Sequence, residues 1–150
     1  FNFVCMQIAI EKVNPTKKDF NNLRAIRQEV FVVEQEVDPK EEFDAFEEVS
    51  THFLVRMNDE PAATCRYRKT DNGTKLERFA VLKQFRRKGA GSIMVQACLA
   101  ELDKSQKIYL HAQVDAIPLY SANGFEAYGD LFYECDIPHY AMHWTGKQKG

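Results

Sequence analysis

From Leu76 to Met94 the chain reads L-E-R-F-A-V-L-K-Q-F-R-R-K-G-A-G-S-I-M, and this order limits the fold more than any other feature. An apolar strand gives way to a basic turn with two glycines, and the turn opens an amphipathic helix. The first backbone N–H groups of a helix have no partner within it and carry the positive end of its dipole. Here they would lie beside Arg86, Arg87 and Lys88. The expectation is a corner that holds phosphate.

Spacing narrows the ligand. A nucleoside-triphosphate loop needs G-x-x-x-x-G-K-[ST], whereas Lys88 precedes its glycine; a dinucleotide fingerprint needs a third glycine near Met94, where there is none. What remains is R-x-x-G-x-G, from Arg86 to Gly91. Further on, Gln113 to Phe125 reads Q-V-D-A-I-P-L-Y-S-A-N-G-F. Together these resemble the GNAT superfamily of acyl-CoA-dependent N-acyltransferases, whose signatures are [RQ]-x-x-G-x-[GA] and N-x-x-A-x-x-L-Y-x-x-x-G-F. Gln113 stands where the family usually has Asn. Val30 to Gln35 (V-F-V-V-E-Q), Leu76-Glu77-Arg78, Leu110 to Gln113, and Ile137-Pro138-His139 with Met142 make the chain similar to the ElaA/YjcF-like branch over nearly its whole length.

Composition agrees with a compact enzyme. The 150 residues suit one domain, 1–150, with length enough for a core. A net charge of −2 argues against nucleic acid as a partner, because backbone binding needs a broad basic surface. Cys5, Cys65, Cys98 and Cys135 form no C-x-x-C pair and no signal segment is apparent, so free thiols and a cytoplasmic location are expected. No apolar run approaches the length of a bilayer span, so no membrane partner is expected. The chain begins at Phe1 without Met, as it would if an upstream residue or tag had been trimmed.

Periodicity predicts a strand over Phe3 to Ile10, a turn at Asn14-Pro15-Thr16, and a helix capped by Thr16 or Asp19. Its stripe is Phe20, Leu23, Ile26, Arg27, Val30 and Phe31. Glu34 to Glu48 reads as an irregular acidic loop with one short helical turn. Strands follow at His52 to Met57, Ala62 to Lys69 and Lys75 to Leu82, the last two joined by a hairpin at Asp71-Asn72-Gly73. After the glycine turn, Ile93, Val95, Ala97, Cys98 and Leu102 suit a helix. Ile108 to His111 is a buried strand, Pro118 opens a further helix, and Phe125 to Tyr133 and Tyr140 to Thr145 are the last strands. The fold class is α+β, a three-layer α/β/α arrangement around a mixed, mostly antiparallel sheet; the resemblance implies the GNAT acyl-CoA N-acyltransferase fold.

The resemblance implies acetyl-CoA as cosubstrate and assigns roles. Arg86, Arg87, Lys88, Gly89, Ala90, Gly91 and Ser92 would cradle the pyrophosphate, with the glycines letting the backbone approach it. Phe79, Ala80 and Val81 would meet the pantetheine as an added strand does, the N–H near Phe79 would polarise the thioester carbonyl, and Gln113 would join this wall. Tyr120 would protonate the departing thiolate; otherwise it is an amphipathic core residue. Two residues compete as general base. Glu77, placed by alternation on the face of Phe79, is either the base or half of an ion pair with a neighbouring strand. His111 has a suitable unperturbed pKa and is either the base or a hydrogen-bonded core residue.

Glu34, Gln35 and His139 would line the acceptor pocket. The acidic segment is either a solvated loop or a wall that attracts a cationic amine, in which case neutralising Glu34 and Asp38 would raise the acceptor KM alone. Cys135, His139 and His143 would stack as metal ligands only on a helix, which Pro138 disfavours, and no metal is expected. The function implied is acetyl transfer from acetyl-CoA to a primary amine by direct attack in a ternary complex. The alternative is a noncatalytic acyl-CoA-binding sensor or interaction module. A homodimer is compatible with either.

Overall fold

The computed structural model describes residues 5–147. Strands β1 (Ile8–Val13), β2 (Thr51–Met57), β3 (Glu60–Thr70) and β4 (Gly73–Val81) are antiparallel neighbours. Strand β5 (Ile108–Gln113) then lies parallel to β4, followed by the antiparallel hairpin of β6 (Phe125–Glu134) and β7 (Ile137–Trp144). The seven-stranded order is β1-β2-β3-β4-β5-β7-β6. Asn58 and Asp59 (φ 49° and 67°) turn β2 into β3, and Cys135 and Asp136 (φ 50° and 62°) turn β6 into β7. These are left-handed positions that short polar residues tolerate best.

Alternation along β2 builds two cores. Phe53, Val55 and Met57 pack towards helix α3 (Ala90–Glu101), together with Tyr120 of α4 (Ile117–Ala122), whereas Leu54 packs with Phe20, Leu23 and Ile26 of α1 (Phe20–Arg27) on the other face. Helices on both faces give the three-layer arrangement expected. Beyond Arg27 the helix continues as a wider π-helical run, Gln28–Glu34, which buries Val30 and Phe31. A short turn, α2 (Pro39–Glu42), follows and is capped by Asp38, whose carboxylate accepts from the Lys40 N–H at 2.9 Å.

Several boundaries differ from expectation. The first strand begins at Ile8 and runs to Val13, because its register is set by β2, from Ile8 opposite Met57 to Val13 opposite His52; Phe3 and Val4 lie outside the described residues. Thr16 caps no helix, since its hydroxyl donates to Asn14 at 2.8 Å. In α3 the buried residues are Ala90, Met94, Val95, Cys98 and Leu99, a face rotated from the one read by periodicity.

Two irregularities in β4 position the site. Arg66 pairs with Glu77 and Thr64 with Ala80, so Arg78 and Phe79 together oppose Cys65: a β-bulge, with Arg78 at φ 59°. The extra residue reverses the alternation beyond it. Pairing with β5 also ends early, at Leu76 opposite Leu110, while β4 continues to Val81 and β5 to Gln113.

Candidate active site

Where β4 and β5 part, they leave a V that opens into a cleft of about 440 Å³. One arm offers Phe79, Ala80 and Val81; the other offers His111 and Gln113. Tyr120 reaches the same cleft from α4. A strand that lacks a neighbour on one side leaves its peptide groups free to pair with an extended ligand.

At the end of this arm, Gly89 takes φ 90° as the N-cap of α3, a conformation that favours glycine. The preceding Arg87 is also left-handed, at φ 63°. Gly91 has a packing reason of its own: a Cβ there would meet Leu119 Cδ2 at 2.7 Å, so it lets α3 and α4 close together. The Ser92 hydroxyl accepts from Asn123 at 3.1 Å. Of the basic residues, Arg86 lines the cleft. Its Nε donates to the Val81 carbonyl at 2.9 Å, and its Nη2 holds both oxygens of Glu34 at 2.9 Å.

Tyr120 is buried, with its ring edge-on to Phe79 (5.6 Å between centroids) and to Phe125 (6.2 Å). Burial pushes its phenol well up, and the neighbouring Cys65 and Cys98 add to that. The hydroxyl therefore stays protonated at neutral pH, the form in which a phenol can donate a proton. The two cysteines are buried with sulfurs 3.8 Å apart, and burial raises the Cys65 thiol, which makes it a poor nucleophile.

The bulge corrects the placement of Glu77. Phe79 packs with Leu76 on the α3 face, so Glu77 points to the opposite face, not to the face of Phe79. There it accepts from Arg66 at 2.8 Å and from Arg68 at 2.7 Å, with Lys75 at 3.5 Å. Burial works to raise its pKa, but the Arg68 hydrogen bond and the charges of Arg66 and Lys75 leave it below the ordinary value. It remains in the wall of the cleft as an ionised, clamped carboxylate, which is a weak base.

The acidic segment is solvated in part: Glu36, Asp38, Glu41 and Glu48 are exposed, whereas Glu42, Asp44 and Glu47 turn inward. Arg27, 1% exposed, binds Glu42 at 2.6 Å and Glu47 at 2.8 Å. Arg66, fully buried, binds Asp44 at 2.8 Å and also Glu47 and Glu77. Buried charges need such partners, and the network fixes the segment against the sheet. Glu34 lines the cleft, whereas Asp38 is exposed in its capping role.

On this same face β5 carries His111, whose Nδ1 lies 2.7 Å from Glu134 Oε1 of β6. His139 of β7 lies nearby, with Nε2 3.9 Å from Glu134 Oε2 and Nδ1 2.6 Å from the Ile137 carbonyl. Gln35 and Gln113 exchange hydrogen bonds across the cleft at 2.9 and 3.4 Å. Sequence reasoning brought Gln35, His111, Gln113 and His139 to this region but missed Glu134. Alternation puts Glu134 on the side of Phe132; nothing local reveals that it reaches across β7 to β5. Cys135, His139 and His143 lie on a hairpin and strand, where intervals of four do not stack on one helical face.

A mixed sheet parted between β4 and β5, with a basic glycine turn at the head of the following helix, is the architecture of acyl-CoA N-acyltransferases. Residues 15–146 match the family model described as an acetyltransferase (GNAT) domain. The chain is 37% identical over 120 residues to the uncharacterized N-acetyltransferase YjcF of Bacillus subtilis (strain 168), covering 78% of this chain and 86% of the relative. It therefore belongs to the GNAT acetyltransferases and is a transferase. Among solved structures, ElaA of Escherichia coli is 25% identical with a TM-score of 0.79, covering 93% of this chain and 100% of that one. An acyl-CoA N-acyltransferase from Pseudomonas aeruginosa shares the fold at TM-score 0.80 and 24% identity, with the same coverage.

Proposed function

We propose that the protein transfers the acetyl group of acetyl-CoA to a primary amine by direct attack within a ternary complex. The observation that carries this reading is the parting of β4 from β5 beyond Leu76 and Leu110, which opens a passage from one face of the sheet to the other. The turn from Arg86 to Ser92 would hold the pyrophosphate, and the edge from Phe79 to Val81 would pair with the pantetheine amides. Tyr120 packs on the α3 face beside Phe79, while His111, Glu134 and His139 cluster on the other. That separation suits a donor whose leaving sulfur takes a proton on one side and an acceptor that loses one on the other. The burial of Cys65 and Cys98 disfavours an acyl-cysteine route.

The described cysteines are all free thiols, which supports a reducing, cytoplasmic setting. No described helix is long and apolar enough to cross a membrane. The test is acetyl-CoA-dependent thiol release over a panel of amines. Amine-dependent release supports the transferase; tight acetyl-CoA binding without release, unchanged in Tyr120→Phe, would instead identify a sensor.

A further inference from the structure

We propose that Glu134 is a positioning residue that fixes His111 as the general base for the incoming amine. The inference rests on the acetyl transfer proposed above and names the group that carries its proton.

The geometry is that of an oriented imidazole. Glu134 Oε1 sits 2.7 Å from His111 Nδ1, and the ring is braced edge-on by Phe132, with centroids 5.0 Å apart at 77°. Directly opposite His111 on β7 is Ala141, whose small side chain leaves room for a β6 residue to reach over it. The hydrogen bond from His111 holds the Glu134 carboxyl below its ordinary value against the effect of burial, so it is ionised at neutral pH and can only accept. Nδ1 must then carry the hydrogen. The lone pair falls to Nε2, which has no hydrogen-bond partner among the described residues and belongs to a cleft-lining side chain. His139 is held in the matching tautomer, its Nδ1–H donating to the Ile137 carbonyl at 2.6 Å, so when neutral it donates nothing to Glu134.

Other charged and titratable groups lie near the pair, among them His143 of β7, which stacks on Tyr128 with ring centroids 4.8 Å apart. On β4, Lys75 acts on Glu134 but also lies 3.5 Å from Glu77, which is itself engaged by Arg66 and Arg68. At the β6–β7 turn the Cys135 thiol donates to Glu41 of α2 at 2.9 Å, with Arg78 close enough to act on it. On β5 itself, Tyr109 stands 5.9 Å from the His111 ring, and its hydroxyl pairs with Thr70. None of these competes for Nε2.

In the step assigned, the acceptor ammonium gives one proton to His111 Nε2. The freed lone pair forms the N–C bond at the thioester carbonyl, and the C–S bond breaks with its electron pair passing to sulfur. A second proton leaves the nitrogen and one arrives on sulfur, with Tyr120 able to relay it, so the products are the amide and CoA thiol. His111 returns its proton to solvent.

The test is the pH dependence of kcat/KM for the best amine in wild type, Glu134→Gln, Glu134→Asp and His111→Asn, with acetyl-CoA affinity measured in parallel. Glu134→Gln should lower kcat on the order of 10²-fold and displace the rising limb, since the imidazole loses the carboxylate that fixes its tautomer and orientation. Glu134→Asp should restore part of the rate, and His111→Asn should abolish the limb. Acetyl-CoA affinity should stay within about twofold in all of them. An unmoved limb and rate in Glu134→Gln, or a limb that persists in His111→Asn, overturns the proposal. Nitrogen NMR of the wild-type histidines gives a readout free of turnover: His111 should carry its hydrogen on Nδ1, and an Nε2–H tautomer overturns it. Lack of turnover with every amine would sink the transferase reading, and the base role with it, while the tautomer would still decide whether Glu134 orients the ring.

Discussion

Arg86 holds both carboxylate oxygens of Glu34 at 2.9 Å while its Nε donates to the Val81 carbonyl. One guanidinium therefore ties the end of the π-helical run to the end of β4, at the mouth of the cleft. The side chains are 40% and 28% exposed, and a pair so placed is worth about 0–1 kcal/mol. On the proposed function, a phosphate approaching the glycine turn would compete with Glu34 for the same cation.

That competition has a sign. Glu34→Gln should release Arg86 and tighten CoA binding by no more than about fivefold, the factor equivalent to 1 kcal/mol. Calorimetric titration of CoA checks it. Weaker binding in the variant would show that Glu34 supports the phosphate turn instead of restraining it.

The Tyr120 ring is held edge-on by Phe79 and Phe125 within the apolar core that faces α3. Tyr120→Phe should keep that packing and remove only the hydroxyl. The expected result is a fall in kcat on the order of 10²-fold with KM for acetyl-CoA little changed. A variant with wild-type kcat would leave Tyr120 a core residue.

The contact between Gly91 and Leu119 can be tested by repacking. Gly91→Ala should cost no more than about 1 kcal/mol net, because the added methyl displaces Leu119 Cδ2, the end of a flexible half-buried side chain, while alanine favours the helix by a similar amount. Leu119→Ala in the same chain should recover part of that loss. Urea melts of the two single variants and the double variant give the coupling, and strictly additive costs would contradict direct contact.

Acid should loosen the buried ion network in a defined window. Burial works to raise the Asp44 pKa, yet hydrogen bonds from Arg66 and the Phe46 N–H hold it at about 2, against an ordinary 3.8. A depressed carboxylate stabilises the fold above its unfolded value, and that contribution is lost as pH falls from about 4 towards 2. Glu77 acts in the same direction; Glu42, raised by burial, acts in the opposite one. Urea midpoints measured down to pH 2.5 should fall less steeply in Asp44→Asn than in wild type.

Removing one cation should be harsher than protonating one acid. Arg27→Ala leaves Glu42 and Glu47 without their 2.6 and 2.8 Å partner, a loss of about 3–5 kcal/mol at neutral pH. Denaturant unfolding measures it, and a cost below about 1 kcal/mol would mean that water replaces the guanidinium.

The sequence was most legible where one local rule decided the outcome. Asp71-Asn72-Gly73 predicted its hairpin, and the glycine turn predicted the head of α3, where Gly89 does adopt a left-handed conformation. Alternation, used to put Glu77 on the face of Phe79, failed in β4, because a bulge depends on how two strands pair, and no residue near Arg78 announces it. The same limit hid Glu134, which meets His111 only after β7 has come between their strands. The acidic segment was legible in part: Glu36, Asp38, Glu41 and Glu48 are exposed as in a solvated loop, but Glu42, Asp44 and Glu47 meet Arg27 and Arg66, which lie far off in the chain.

The extra residue in β4 is spare as far as the facing of its neighbours goes. With Arg78 deleted, Phe79 alone would oppose Cys65, and Leu76, Phe79 and Val81 would keep the α3 face while Glu77 and Ala80 kept the other. A one-codon loss there would leave both walls as they are and remove only the local kink that a bulge gives a strand, just beyond the last pair that β4 makes with β5.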